Sequence, residues 1–157
     1  MEMLTKGMLT LDVNGEKRQV LARPADTLLF VLREELGLLA AKPGCETGDC
    51  GACTVLMDGK PVKSCMVLAP EAVGTQITTL EGLGRSPVYG AFVDLFALQC
   101  GYCTPGFIVN AHALLSAHPD ADEDVICDWM NSNLCRCTGY EEIKAAVKRA
   151  LETNRGG

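Results

Sequence analysis

The segment Gly44-Cys45-Glu46-Thr47-Gly48-Asp49-Cys50-Gly51-Ala52-Cys53 places three thiols within nine residues, spaced C-x4-C-x2-C, and Cys65 follows after eleven more. Few folds accommodate such a stretch. The loop has to curl until its thiols converge, with backbone N–H groups aimed at the sulfurs. Gly44, Gly48 and Gly51 allow that approach, including φ > 0 where the curl demands it. The chain holds nine cysteines in 157 residues, an odd number, and they cluster as C-x2-C, C-x2-C and C-x-C. Residues 1–7 carry no apolar leader and no twin arginine, so the cytoplasm is the expected compartment. In a reducing compartment this clustering reads as metal binding rather than disulfides.

Composition narrows the function classes. Hydrophobic residues make up 48% and aromatic residues 5%, which predicts an aliphatic core in one domain or two small ones. The net charge of −6 argues against nucleic acid or an anionic membrane as partner. The longest apolar runs, such as residues 28–32, are far too short for a membrane span.

Read in order, the chain predicts a strand over residues 8–13, a hairpin turn at Asn14-Gly15 and a returning strand over 16–22. A helix over 27–36 follows, capped by Asp26, with Leu29, Leu32 and Leu36 on one face and Gly37 as its stop. After the cysteine loop come a strand at 54–57, a turn at Asp58-Gly59, a returning strand at 60–64 and a last strand at 76–80. The second hairpin folds Cys65 back towards the first three thiols. These elements form a small α+β domain over residues 1–80, and residues 81–86 read as a linker.

From there to residue 157 the signals are helical. Ser86-Pro87 opens a first helix with Val88, Phe92, Leu95 and Phe96 as one apolar stripe, and Thr104-Pro105 opens a second to about residue 117. Residues 120–123 resemble a capping box for a third helix reaching Met130. Thr138 and Glu141 form another for a fourth, through Ile143, Val147 and Leu151. Four helices with short connections predict a bundle. Cys100 and Cys103 fall in the turn between the first two helices, Cys135 and Cys137 in the turn between the last two. If both turns lie at one pole, four thiols meet in a second site, with Thr104 and Thr138 capping the helices that leave it.

The first set has the spacing of plant-type [2Fe–2S] ferredoxins. C-x2-C is also common zinc spacing, so the residues alone leave two zinc sites as an alternative to two one-electron centres.

Three motifs carry a more specific resemblance: the loop over residues 44–55, Gln99-Cys100-Gly101-Tyr102-Cys103-Thr104-Pro105-Gly106, and Asn133-Leu134-Cys135-Arg136-Cys137-Thr138-Gly139-Tyr140. In their order and nearly full coverage, they make the chain resemble the iron–sulfur component of the xanthine oxidase family of molybdenum hydroxylases. The resemblance implies a ferredoxin-like β-grasp domain followed by a four-helix domain, each holding one [2Fe–2S] cluster. Cys45, Cys50, Cys53 and Cys65 would hold the cluster toward FAD, and Cys100, Cys103, Cys135 and Cys137 the cluster toward molybdenum. Gln99 and Cys137 match positions that approach a molybdopterin cofactor. The implied partners are one large molybdenum-binding subunit plus one medium FAD-binding subunit, in a dimer of heterotrimers. Ala40-Ala41-Lys42 stands where relatives often have Gly-Thr-Lys, and Glu46 or Thr47 where a glycine is common; neither departure removes a thiol.

The expected role is electron transfer within an oxidoreductase, with no catalytic residue in this chain. A stand-alone two-cluster ferredoxin and a zinc-stabilised interaction module are the alternatives. Cys127 reads as a small buried hydrophobe, and His112 and His118 as core or surface residues. Trp129 and Tyr140 read as packing or interface residues, and Arg136 as a charge beside the second site or a surface arginine.

Overall fold

Two tight hairpins organise the first half of the chain. β1 (Gly7–Val13) turns into β2 (Glu16–Ala22), and β3 (Thr54–Met57) turns into β4 (Lys60–Lys63). Both turns take the left-handed backbone that Asn-Gly and Asp-Gly tolerate: Asn14 and Gly15 at φ 55° and 80°, Asp58 and Gly59 at 48° and 77°. β5 (Gln76–Thr78) then inserts between the hairpins, parallel to β1 and antiparallel to β3, giving a mixed sheet of order β2-β1-β5-β3-β4. The structure is a computed structural model and describes residues 5–156. Residues 1–4, part of the stretch read for an export signal, and residue 157 lie outside the described residues.

α1 (Leu28–Phe30) runs across this sheet. It is capped by Thr27, whose Oγ1 accepts from the Phe30 N–H at 3.2 Å, and not by Asp26. The Asp26 carboxylate instead closes the preceding turn by accepting from the Arg23 N–H at 2.7 Å. The predicted helix also changes pitch, because residues Val31–Glu35 form a wider π turn closed by Leu36 N–H to Val31 O. Gly37, at φ 69°, ends it as expected. Leu11, Val13, Val20, Leu28, Leu32, Val55 and Ile77 form the core between helix and sheet.

The expected linker contains one helical turn, α2 (Leu80–Leu83). It is pinned back on the first hairpin, since the Asn14 side chain accepts from Thr79 N–H at 2.9 Å and donates to Thr79 Oγ1 at 3.0 Å.

α3 (Pro87–Asp94), α4 (Thr104–Ala117), α5 (Glu123–Met130) and α6 (Glu141–Arg155) then pack around Phe92, Phe107, Leu114, Ile126, Ile143 and Val147. The N-termini differ in detail from the capping signals. Ser86 does cap α3, accepting from Tyr89 N–H at 3.2 Å. The cap of α5 is Asp122, accepting from Val125 N–H at 3.0 Å, two residues past the start of the expected box. α4 follows Cys103 with no side-chain cap, and α6 follows Tyr140, which sits at φ 69°. Neither Thr104 nor Thr138 caps a helix. The stripe predicted for α3 is also shorter, because the helix ends at Asp94 and the chain turns left-handed at Phe96 (φ 51°). Val88 and Phe92 are buried, whereas Leu95 and Phe96 face outwards.

A smaller apolar cluster of Leu56, Val109 and Ala113 joins β3 to α4. The sheet and the helices therefore share a packed seam.

Candidate metal centres

The first site is built by the loop between the π turn and β3, closed by the second hairpin. Cys53 immediately precedes β3. Its carbonyl accepts from the Ser64 hydroxyl at 2.7 Å and the Ser64 N–H at 3.3 Å, which brings Cys65 alongside. Backbone N–H groups point at the sulfurs: Thr47 and Cys50 donate to Cys45 Sγ at 3.4 and 3.3 Å, and Cys45 donates to Cys50 Sγ at 3.4 Å. A Cβ on Gly44 would stand 2.6 Å from Cys50 Sγ, so this cradle exists only because residue 44 has no side chain.

These contacts set the thiol acidities. The Thr47 side chain and the N–H groups of Cys50 and Thr47 bring Cys45 down to about 6. The Thr47 hydroxyl also reaches Asp49 Oδ2 at 2.7 Å, so the N–H donors are the constant part of that effect. Burial pushes Cys65 up to about 11, with the neighbouring Cys53 adding to the rise. Burial lowers the pKa of half-buried Lys63, and the charge of the four thiolates opposes that shift.

The second site joins the turn before α4 to the turn before α6. Cys137 Sγ lies 3.4 Å from Cys100 Sγ. Thr138, freed from a capping role, donates to Cys135 Sγ through its hydroxyl at 3.1 Å and its N–H at 3.4 Å. Burial raises the pKa of Cys135, but these donors outweigh it and the thiol is lowered overall. Cys103, half-buried and hydrogen-bonded to Cys135, is pushed up to about 12 by that burial and by its neighbour. The exposed Cys100 is lowered, chiefly by the Tyr102 N–H.

The structure brings the eight predicted thiols together two by two. Within each site they stand in side-chain pairs: Cys45 with Cys50, Cys53 with Cys65, Cys100 with Cys137, and Cys103 with Cys135. Among the described residues, no three His, Cys, Asp or Glu side chains gather as one metal ion would need. Paired thiols with N–H···S donors fit a two-iron, sulfide-bridged group better than a tetrahedral zinc ion.

The two sites are neighbours. A cavity of about 190 Å³ is bounded by Cys45 and Cys50 on one side and by Cys100, Cys103, Cys135 and Cys137 on the other. Cys45, Cys100 and Cys137 are exposed, and so are Gln99 and Arg136 beside the second site.

Cys127 joins neither set. It is only partly buried and lines a separate cavity of about 270 Å³ with Met130, Tyr140 and Ile143. His118 packs edge-on against Trp129, and His112 is partly buried, its pKa lowered by that burial. Sequence reasoning missed the part Tyr140 plays in the site. Its hydroxyl accepts from the Cys135 N–H at 3.0 Å while its ring packs edge-on against Phe107.

Two family profiles cover the chain: a "2Fe-2S iron-sulfur cluster binding domain" at residues 11–79 and a "[2Fe-2S] binding domain" at residues 79–148. The nicotinate dehydrogenase small FeS subunit of Eubacterium barkeri is 46% identical, covering 95% of this chain and 98% of that protein. The chain belongs to the small iron–sulfur subunits of the xanthine oxidase family. Within this family, the nicotine 6-hydroxylase small subunit of Paenarthrobacter nicotinovorans is 44% identical, over 88% of this chain and 86% of its own. Among solved structures, quinoline 2-oxidoreductase from Pseudomonas putida 86 matches with a TM-score of 0.91 at 39% identity, covering 98% of both chains. The aldehyde oxidoreductase of Desulfovibrio desulfuricans matches with a TM-score of 0.89 and 43% identity, but the matched stretch is 17% of that longer chain. Family membership identifies this chain as the iron–sulfur part of an oxidoreductase, with two [2Fe–2S]-binding domains.

Proposed function

We propose that this chain is the electron-transfer component of a molybdenum hydroxylase complex, relaying single electrons from a partner's molybdenum–pterin site to FAD on another partner. The observation that carries this reading is the arrangement of eight thiols as two adjacent sets, each opening to the surface at one edge. When bound, two [2Fe–2S] clusters supply two one-electron carriers. Cys45, Cys50, Cys53 and Cys65 would hold one cluster in a ferredoxin-like β-grasp domain spanning residues 1–80. Cys100, Cys103, Cys135 and Cys137 would hold the other in a four-helix bundle spanning 81–157.

The chain's own groups act on the sulfurs. The N–H donors of Cys45, Thr47 and Cys50, and both donors of Thr138, stabilise negative charge there. Such hydrogen bonds, with solvent exposure, are the protein's means of setting the reduction potential. Exposed Cys137, and exposed Gln99 next to Cys100 in the chain, would present the second site to the pterin-bearing partner. The Cys45 edge presents the first site to the flavin-bearing partner.

Partner subunits are supported by the aldehyde oxidoreductase match, in which the equivalent stretch is a small part of one longer polypeptide. The substrate would be read by the large partner, and this chain supplies no catalytic residue.

Gentle purification of the untagged native protein tests the assembly. Molybdenum and flavin should co-purify with it. Recovery of the small chain alone, fully loaded and free of both, would instead make it an independent two-cluster ferredoxin.

A further inference from the structure

The carbonyl of Gly51, in the first cysteine loop, is the meeting point of the seam between the two sites. It accepts from Asn133 Nδ2 at 2.9 Å, Thr54 Oγ1 at 2.7 Å and Thr54 N–H at 3.1 Å. Gly106, at the start of α4, lies against the same oxygen so closely that a Cβ there would collide with it. A Cβ on Gly51, itself at φ 70°, would stand 2.6 Å from the Ser132 carbonyl and would also strike the Asn133 amide.

Asn133 is 1% exposed, and both its amide oxygen and its amide nitrogen are hydrogen-bonded. Its Oδ1 accepts from Asn110 Nδ2 at 2.9 Å and from the Ser132 hydroxyl at 3.0 Å. Asn110, 2% exposed, is held in turn through Trp129 O and Ser132 Oγ, and its own carbonyl accepts from the Trp129 indole N–H at 3.0 Å. Nothing in this buried network is unsatisfied. Buried polar groups of this kind are expensive unless complete, and complete ones fix a unique arrangement. Here the arrangement fixed is that of residue 51, between Cys50 and Cys53, against residue 133, two before Cys135.

We infer that Asn133 is a positioning residue that locks the two thiol sets at one separation and orientation, so that electrons cross a gap of constant geometry. It touches no thiol. It acts by clamping the Gly51 carbonyl, and Leu134 N–H to Cys50 O at 2.9 Å completes the contact beside it. This inference rests on the reading that each set holds a [2Fe–2S] cluster.

The test is low-temperature EPR of the fully reduced, cluster-loaded protein, in which two nearby paramagnetic centres split each other's signals. Asn133→Asp keeps the side chain's shape and its acceptor for Asn110 and Ser132, but sets a carboxylate oxygen against the Gly51 carbonyl. The variant should retain wild-type iron, sulfide and individual g-values while the interaction splitting is lost or redistributed. An unchanged splitting in a fully loaded variant overturns the inference. Should that variant not load both clusters, the unmodified protein in stepwise urea decides. The lock predicts that splitting persists until a cluster itself is lost, and splitting that vanishes while both clusters remain intact overturns it. Unmodified protein that lacks iron and sulfide would refute the cluster reading instead, a separate result.

Discussion

The backbone N–H of Leu134 donates to the carbonyl of Cys50 at 2.9 Å, joining a residue that adjoins one thiol set directly to a member of the other. The two sites are therefore joined through one hydrogen-bonded seam rather than standing on two separate domains. That seam and the pairing of the thiols have measurable consequences.

Gly106→Ala should destabilise the whole protein. The added methyl meets a backbone carbonyl that is already held by three donors and cannot turn aside. Overpacking of this kind costs about 1–3 kcal/mol. A lowered thermal midpoint for the loaded protein is expected, and an unchanged midpoint would mean that the seam yields easily.

The ninth cysteine should be dispensable for metal. Cys127→Ser is expected to keep full iron content, because none of the eight paired thiols lines the cavity that Cys127 lines. Cys137→Ser should lose the iron–sulfur signal of the second site and leave that of the first intact. A Cys137→Ser protein that still showed both original EPR signals would refute the assignment of Cys137.

Cluster loading should depend on pH in a definite sense. Thiols must lose their protons to bind metal, and burial holds Cys65 at about 11 and Cys103 at about 12 in the metal-free chain. Cys45, lowered to about 6 by its hydrogen bonds, is already ionised at neutrality. Reconstitution should therefore release protons and become more efficient between about pH 6.5 and about pH 8.5. Alkylation of the metal-free chain near neutrality should reach Cys45 before Cys65 or Cys103. Yield independent of pH, or early labelling of Cys65 or Cys103, would contradict this.

Asp122→Ala tests the observed cap of α5. Its carboxylate satisfies the Val125 N–H, so the loss should be about 1 kcal/mol. Asp120→Ala, at the residue where the sequence signal begins, should have little effect on that helix.

Much of the site was legible from spacing, because C-x4-C-x2-C and the two hairpin turns act over short distances. Asn14-Gly15 and Asp58-Gly59 dictate reversals locally, and the second reversal returns Cys65 to Cys53. Helix starts were less legible where several cap residues crowd together. Asp26 and Thr27 both qualify, and the turn that needs the Asp26 carboxylate decides between them. Thr138 has a capping residue's chemistry, and its Oγ1 does accept from Tyr140 N–H at 3.3 Å, but α6 starts only at Glu141, after the left-handed Tyr140. The π turn after Phe30 has no counterpart in the apolar spacing of Leu29, Leu32 and Leu36, which reads as an ordinary helix. Least legible was the seam, because Asn133 and Gly51 lie 82 positions apart and meet only once both domains have formed.

Metal and sulfide analysis of the purified chain tests the central claim most directly. Two two-iron clusters predict about four iron atoms and about four acid-labile sulfides per chain. Stoichiometric zinc without sulfide would contradict the account.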